Sequence, residues 1–207
     1  MHDTSASGLI WYDDKGHGFY LVTRPAAYDQ AYFDKYVGYA KTELGELLTS
    51  IRVALVNKHL PLGMPLIDVG VGCGQFLESM ARFRPCHGYD VNPVAVQMLK
   101  DTGRWRDPYE TDPLALTFWD SFEHIAQPAN ILARQAAIIF MSLPVFHNRD
   151  HVLRSRHFRP DEHFWYFTNW GLVRVMDQMG YRCIEMNYHE TSAGREDIGT
   201  FVFVRHG

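Results

Sequence analysis

Apolar positions along this chain follow two periods, one of about two residues and one of about 3.6, and the switches between them mark out the elements. Residues 9–12 and 19–22 are β-prone runs around Asp13-Asp14-Lys15-Gly16, which suits a hairpin. Tyr28, Tyr32, Phe33, Tyr36 and Tyr39 follow at helical spacing. After Thr42, the apolar residues Leu44, Leu47, Leu48, Ile51, Leu55 and Val56 keep a helical period as far as Pro61, which ends it. From there strand and helix alternate. Strands are predicted at 65–69, 86–91, 114–119, 136–143, 182–188 and 200–205. Helices are predicted at 75–83, 94–100 behind Pro93, 128–134, and 169–179 closed by Gly180. This alternation implies an α/β doubly wound sheet. Residues 101–113 carry no clear apolar run, so a strand there is short or absent.

A length of 207 residues fits one domain with an elaboration: an N-terminal extension and cap over 1–60, and a core over 65–205. With 46% apolar residues the chain is a folded globular protein. Its net charge of −4 gives no global attraction to nucleic acid or anionic membrane. No apolar run is long enough to span a bilayer, and the N-terminus lacks a basic stretch followed by an apolar one; a cytoplasmic protein is expected. Cys73, Cys86 and Cys183 lack CxxC spacing and are expected to be small buried residues. None of the 11 histidines falls in an HExxH pattern, and no metal site is expected.

The candidate chemistry sits in Leu66-Ile67-Asp68-Val69-Gly70-Val71-Gly72-Cys73-Gly74-Gln75-Phe76. Glycines at alternate positions behind a buried strand let the backbone turn sharply and approach a ligand, and the next helix offers its N-terminus. A dinucleotide fingerprint would need glycine where Gln75 stands, which disfavours an NAD-dependent oxidoreductase. Asp90 follows Gly70 by twenty residues, in Gly88-Tyr89-Asp90-Val91-Asn92-Pro93. An acid at the tip of the second core strand can accept both hydroxyls of a ribose.

Together these two motifs resemble the class I S-adenosylmethionine-dependent methyltransferases. A third segment, Leu116-Thr117-Phe118-Trp119-Asp120-Ser121-Phe122-Glu123-His124-Ile125, looks like the fourth-strand segment of the ubiquinone-biosynthesis-like subgroup. The resemblance implies a Rossmann-like sheet of seven strands, mostly parallel with the last antiparallel. It implies S-adenosyl-L-methionine as cofactor and S-adenosyl-L-homocysteine as product. Gly70, Val71, Gly72 and Gly74 would then line the cofactor, with Asp68 orienting their loop. Asp90 would hold the ribose, Val91 would lie beside adenine, and Asp107 would be the acid near the adenine amino group. Trp119, Asp120 and Ser121 would border the methionine end.

Residues 142–168 are too long for an ordinary connection, and they hold four arginines and four histidines against three acids. They read either as a lid that takes an anionic acceptor, with Arg154 and Arg156 as a clamp, or as a solvated charged loop. The resemblance places His163 as an acid–base candidate, and His124 is a second candidate; an imidazole can take a proton as the methyl group arrives. Each histidine could equally serve a structural role. Tyr28, Tyr32, Phe33 and Tyr36 either wall the cavity or pack on the sheet. The function expected is methyl transfer to a small molecule or nucleotide, with nucleic acid less favoured, no membrane and no assigned oligomeric state. The alternative is a catalytically inactive nucleoside-binding or partner-binding module.

Overall fold

The computed structural model describes residues 3–4, 8–23 and 26–206. Of the N-terminal stretch read above for a leader, residues 1, 2 and 5–7 lie outside that set. Among the described residues no helix is long and apolar enough to cross a membrane.

Three short strands come first: β1 (Asp3–Thr4), β2 (Ile10–Tyr12) and β3 (His17–Phe19). Two helices follow, α1 (Gln30–Ala40) and α2 (Glu43–His59). Thr42 caps α2 by accepting from the Gly45 N–H at 3.0 Å, and Glu43 and Glu46 in the first turn suit the positive end of the helix dipole. The core then runs β4 (Leu66–Val69), α3 (Gln75–Met80), β5 (Cys86–Tyr89), α4 (Pro93–Asp101), β6 (Ala115–Trp119), α5 (Pro128–Leu132) and β7 (Ile138–Pro144). It closes with α6 (Arg149–Arg154), β8 (Trp165–Phe167), α7 (Asn169–Gln178), β9 (Tyr181–Asn187), α8 (His189–Ser192) and β10 (Ile198–Arg205).

The main sheet has the order β5-β4-β6-β7-β10-β9, with β5, β4, β6 and β7 parallel and β10 antiparallel to both neighbours. β6 and β7 are buried at every position, as expected of parallel strands covered on both faces. The expected seven strands are therefore six. Where the outermost strand would lie there is a single parallel bridge, Gly88 to Trp105. Polar turn chemistry takes over beyond it: Asp107 accepts from the Tyr109 N–H through its carboxylate and from the Thr111 hydroxyl through its carbonyl. With no continuous apolar run to bury, the segment adds no further rungs to the ladder.

A second sheet, β1-β2-β3-β8, joins the N-terminal hairpin to the end of the long 142–168 connection. Gly18 pairs with Tyr166, and the Tyr20 N–H donates to the Phe164 carbonyl at 2.8 Å. The connection is thus a folded element that carries a helix and a strand and packs Phe146, Val152 and Tyr166 against Leu9 and Trp11. Of the cysteines, Cys86 is buried, whereas Cys73 and Cys183 are half-buried.

Candidate active site

β4 delivers the chain into the glycine loop. Gly70 has φ +82° and sits against Ser121, whose Cβ would lie 2.5 Å from a Cβ built at Gly70. Gly72 has φ +56°, and a Cβ built there would meet only the Tyr36 ring, at 4.0 Å. Left-handed backbone here favours glycine, and the second position leaves bare backbone exposed to a ligand. The Asp90 carboxylate braces the loop, accepting from the Gly72 N–H at 3.0 Å and the Asn92 N–H at 2.8 Å. Burial pushes its pKa up, opposed by these N–H groups. Gln75, the departure from a dinucleotide loop, donates to the Ala40 carbonyl at 2.6 Å and accepts from Thr49 at 3.0 Å. It fastens α1 and α2 over the head of α3.

The loop opens on a cavity of about 1090 Å³. Asp68, Gly70, Val71, Gly72, Asp90, Val91, Trp119, Asp120, Ser121, His124 and His163 all line it. Two expected contacts do not. Gly74 caps α3 with a left-handed backbone and abuts Met98, away from the cavity. Asp107 is spent on its own turn; Tyr109 reaches the cavity instead, stacked edge-on against Tyr89 with centroids 5.7 Å apart. Asp68 is buried, accepts from Thr117 at 2.6 Å, and has its pKa pushed up to about 7 by burial. On the opposite wall Tyr28, Tyr32 and Tyr36 face inward, whereas Phe33 packs into the core. The Tyr32 and Tyr36 hydroxyls are 3.2 Å apart, and burial raises both pKa values. From the long connection Arg156, His157, Arg159 and His163 reach the cavity. Arg154 does not; its guanidinium donates to the Asp150 carbonyl.

Four charged side chains interlock below Trp119. Arg52 from α2 bonds Glu190 at 2.7 Å and Asp120 at 2.9 Å; Arg195 bonds Glu190 at 2.6 Å and Asp120 at 2.8 Å. Two cations and two anions cancel, and Glu190 is fully buried. Burial alone would raise the Asp120 pKa, but Arg195 and Arg52 outweigh it and hold the carboxyl well below the usual range. Asp120 has φ +57°, a strained position for a non-glycine residue that the two guanidinium groups keep in place.

The floor is a cluster of Glu123, His124 and His163. The imidazoles meet edge to face with centroids 4.6 Å apart, and His163 Nε2 is 4.0 Å from Glu123 Oε1, beyond hydrogen-bond reach. The Tyr28 hydroxyl is 3.2 Å from His124 Nδ1. Burial lowers His124 to about 4 and His163 well below 6.5, so both rings are neutral. Burial, with the Asp120 charge, pushes Glu123 up to about 8, and its Oε2 has no partner.

The profile described as a methyltransferase domain matches residues 37–186. The chain belongs to the methyltransferase-domain family. No curated protein matches its sequence. Among solved structures, this methyltransferase-domain chain is similar to the 1,6-didemethyltoxoflavin-N1-methyltransferase of Burkholderia thailandensis, solved with 1,6-didemethyltoxoflavin and S-adenosylhomocysteine. The identity is 12%, with 95% of this chain and 99% of that one covered, at a TM-score of 0.63. It is also similar to the magnesium protoporphyrin IX methyltransferase of Synechocystis, solved with S-adenosylhomocysteine (11%; 85% and 94%; 0.63), and to the [4+2]-cyclase SpnF (14%; 81% and 84%; 0.59). At these identities the likeness is one of fold, the class I Rossmann-like arrangement.

Sequence reasoning on this methyltransferase-domain chain did not single out Arg52, Arg195 and Glu123, which line the cavity, or Glu190, which pairs with both arginines behind it. For Glu123 the signal was present, since an acid beside His124 stood in the quoted segment. The other three carry no local motif.

Proposed function

We propose that the protein transfers a methyl group from S-adenosyl-L-methionine to a small-molecule or nucleotide acceptor carrying negative charge, leaving S-adenosyl-L-homocysteine. The observation that carries this reading is that the glycine loop with Asp90 and the Glu123, His124 and His163 cluster face one cavity. The chain's residues fit the cofactor. Gly72 offers backbone with no Cβ of its own at the cavity, and Asp90 offers carboxylate oxygens beside it. The Trp119 indole N–H is buried without a partner, a donor suited to the polar methionine end. Val91 is exposed at the mouth, where a base can lie against it.

When bound, the sulfonium of this cofactor supplies an electrophilic methyl group. The chain holds the acceptor, excludes water and handles its proton. The tyrosine wall offers ring faces and hydroxyls. Two cations at the cavity are loosely held: Arg156, 3.8 Å from an exposed Glu196, and Lys35, over the Tyr32 and Tyr36 rings, whereas Arg159 is paired with Glu162 at 2.6 Å. His163 and His124, neutral and adjacent, take charge of the acceptor proton.

Calorimetry with S-adenosylmethionine and S-adenosylhomocysteine, followed by a labelled-methyl screen over pooled metabolites, nucleotides and nucleic acid, tests the proposal. Binding with transfer to an anionic pool supports it. Binding without transfer to any pool favours a nucleoside-binding module, and no binding of either cofactor form overturns the reading.

A further inference from the structure

The Glu123, His124 and His163 cluster is built like a ligand set rather than a hydrogen-bonded triad. Each residue offers one donor atom, and the three atoms lie within 4.8 Å of one another. Around a divalent cation with bonds of about 2.1 Å, ligand atoms stand about 3 Å apart, so a side-chain shift of about an ångström closes the set. His124 meets the Tyr28 hydroxyl, but Glu123 is left short of partners. Glu123 is only 2% exposed, its Oε2 is unpartnered, and Oε1 stops 4.0 Å short of His163 Nε2. Leaving a buried carboxylate oxygen unbonded is costly, and a cation would remove that cost.

We propose that Glu123, His124 and His163 form a divalent-cation site that opens on the acceptor cavity and takes an oxygen atom of the acceptor as a further ligand.

Two nitrogens and one carboxylate oxygen favour a first-row transition ion such as Mn2+ or Zn2+ over Mg2+ or Ca2+, which prefer all-oxygen sets. The cluster's position on the cavity floor leaves coordination positions facing solvent and acceptor. The nearby charges are accounted for. Asp120 is committed to Arg52 and Arg195, so it does not compete for the cation, and Arg159 is committed to Glu162, so it does not compete for Glu123. The Tyr28 hydroxyl beside His124 holds that ring in place, an outer contact of the kind that orients metal-bound imidazoles. The inference rests on the methyl-transfer reading for its acceptor and specifies the acceptor as an oxygen donor. With both imidazoles on the cation, an acceptor hydroxyl bound there would be acidified and would release its proton to water in the cavity, so the histidines would act by holding the cation and not as bases.

The distance along the chain explains why no local motif announces the site: His124 and His163 come from the turn after β6 and the connection before β8.

The test is titration of metal-free protein with Mn2+ alone, followed by calorimetry and paramagnetic resonance. One site per chain is expected, with nitrogen couplings from two imidazoles. Glu123→Gln and His163→Ala should each weaken Mn2+ binding at least tenfold while circular dichroism stays native. Absence of stoichiometric binding, or unchanged affinity in folded His163→Ala, overturns the proposal. If the variants fail to fold, the wild-type spectrum decides, and a signal without two imidazole nitrogens overturns it. A parallel titration with S-adenosylhomocysteine separates the two readings: cofactor binding without Mn2+ binding defeats the cation site alone, and Mn2+ binding without cofactor binding defeats the methyl-transfer reading alone.

Discussion

Arg195 grips Asp120 through both of its terminal nitrogens, each 2.8 Å from a carboxylate oxygen. Asp120 is thereby fixed at the end of β6, at the cavity wall, despite its left-handed backbone. Removing one member of such a partly buried network leaves the opposite charges uncompensated. Arg195→Ala should destabilise the fold by about 3 kcal/mol. Urea denaturation measures it, and a loss under about 0.5 kcal/mol would show that Arg52 alone suffices.

Asp90 braces the loop at the cavity, and the proposed function assigns it the ribose hydroxyls. Asp90→Ala removes the acceptor from the Gly72 N–H and from the ligand hydroxyls together. The expected loss in S-adenosylhomocysteine affinity is about 1 to 3 kcal/mol. Calorimetry reads it directly, and unchanged affinity would remove Asp90 from the binding site.

Gly70 has no room for a side chain. Gly70→Ala places a Cβ 2.5 Å from the Ser121 Cβ on a backbone with φ +82°. A stability loss of about 1 to 3 kcal/mol is expected, with weaker cofactor binding as the loop shifts. A thermal melt matching wild type would contradict the tight contact.

Asp68 sets a pH dependence of stability. Its folded pKa of about 7 lies above the ordinary 3.8, so between those values the folded chain keeps a proton that the unfolded chain releases. The stabilisation is complete below about pH 4 and fades as pH rises through 7. Asp68→Asn stays neutral throughout, so relative to wild type it should gain on the order of 2 kcal/mol between pH 4 and 8. Urea melts across that range check it; parallel profiles would show that Asp68 is ionised in the fold.

The cofactor half of the site was legible because its residues are contiguous. The run Asp68 to Gly74 and the run Gly88 to Pro93 each encode a strand, a turn and a helix start in a dozen residues or fewer, and local chemistry decides local geometry. Asn92 capping α4 by accepting from the Val94 N–H at 2.9 Å is of the same kind. Asp107, which the resemblance implied near adenine, lies in a turn away from the cavity lining, because the segment forms a single bridge in place of a strand. Arg52, Glu190 and Arg195 were invisible because only the packing of α2 against α8 and the turn beyond it brings them together. The long connection was recognised as unusual, but its role as sheet partner of the N-terminal hairpin is a tertiary fact that composition does not carry.

That partnership bears on how the protein is made. His17 and Phe167 pair across about 150 residues, and the Gly16 carbonyl accepts from the Thr168 N–H. On the ribosome β3 emerges long before its strand partner, and its free edge must wait for most of the chain. The cavity wall carried by Arg156, His157, Arg159 and His163, just before β8, therefore forms among the last parts of the molecule.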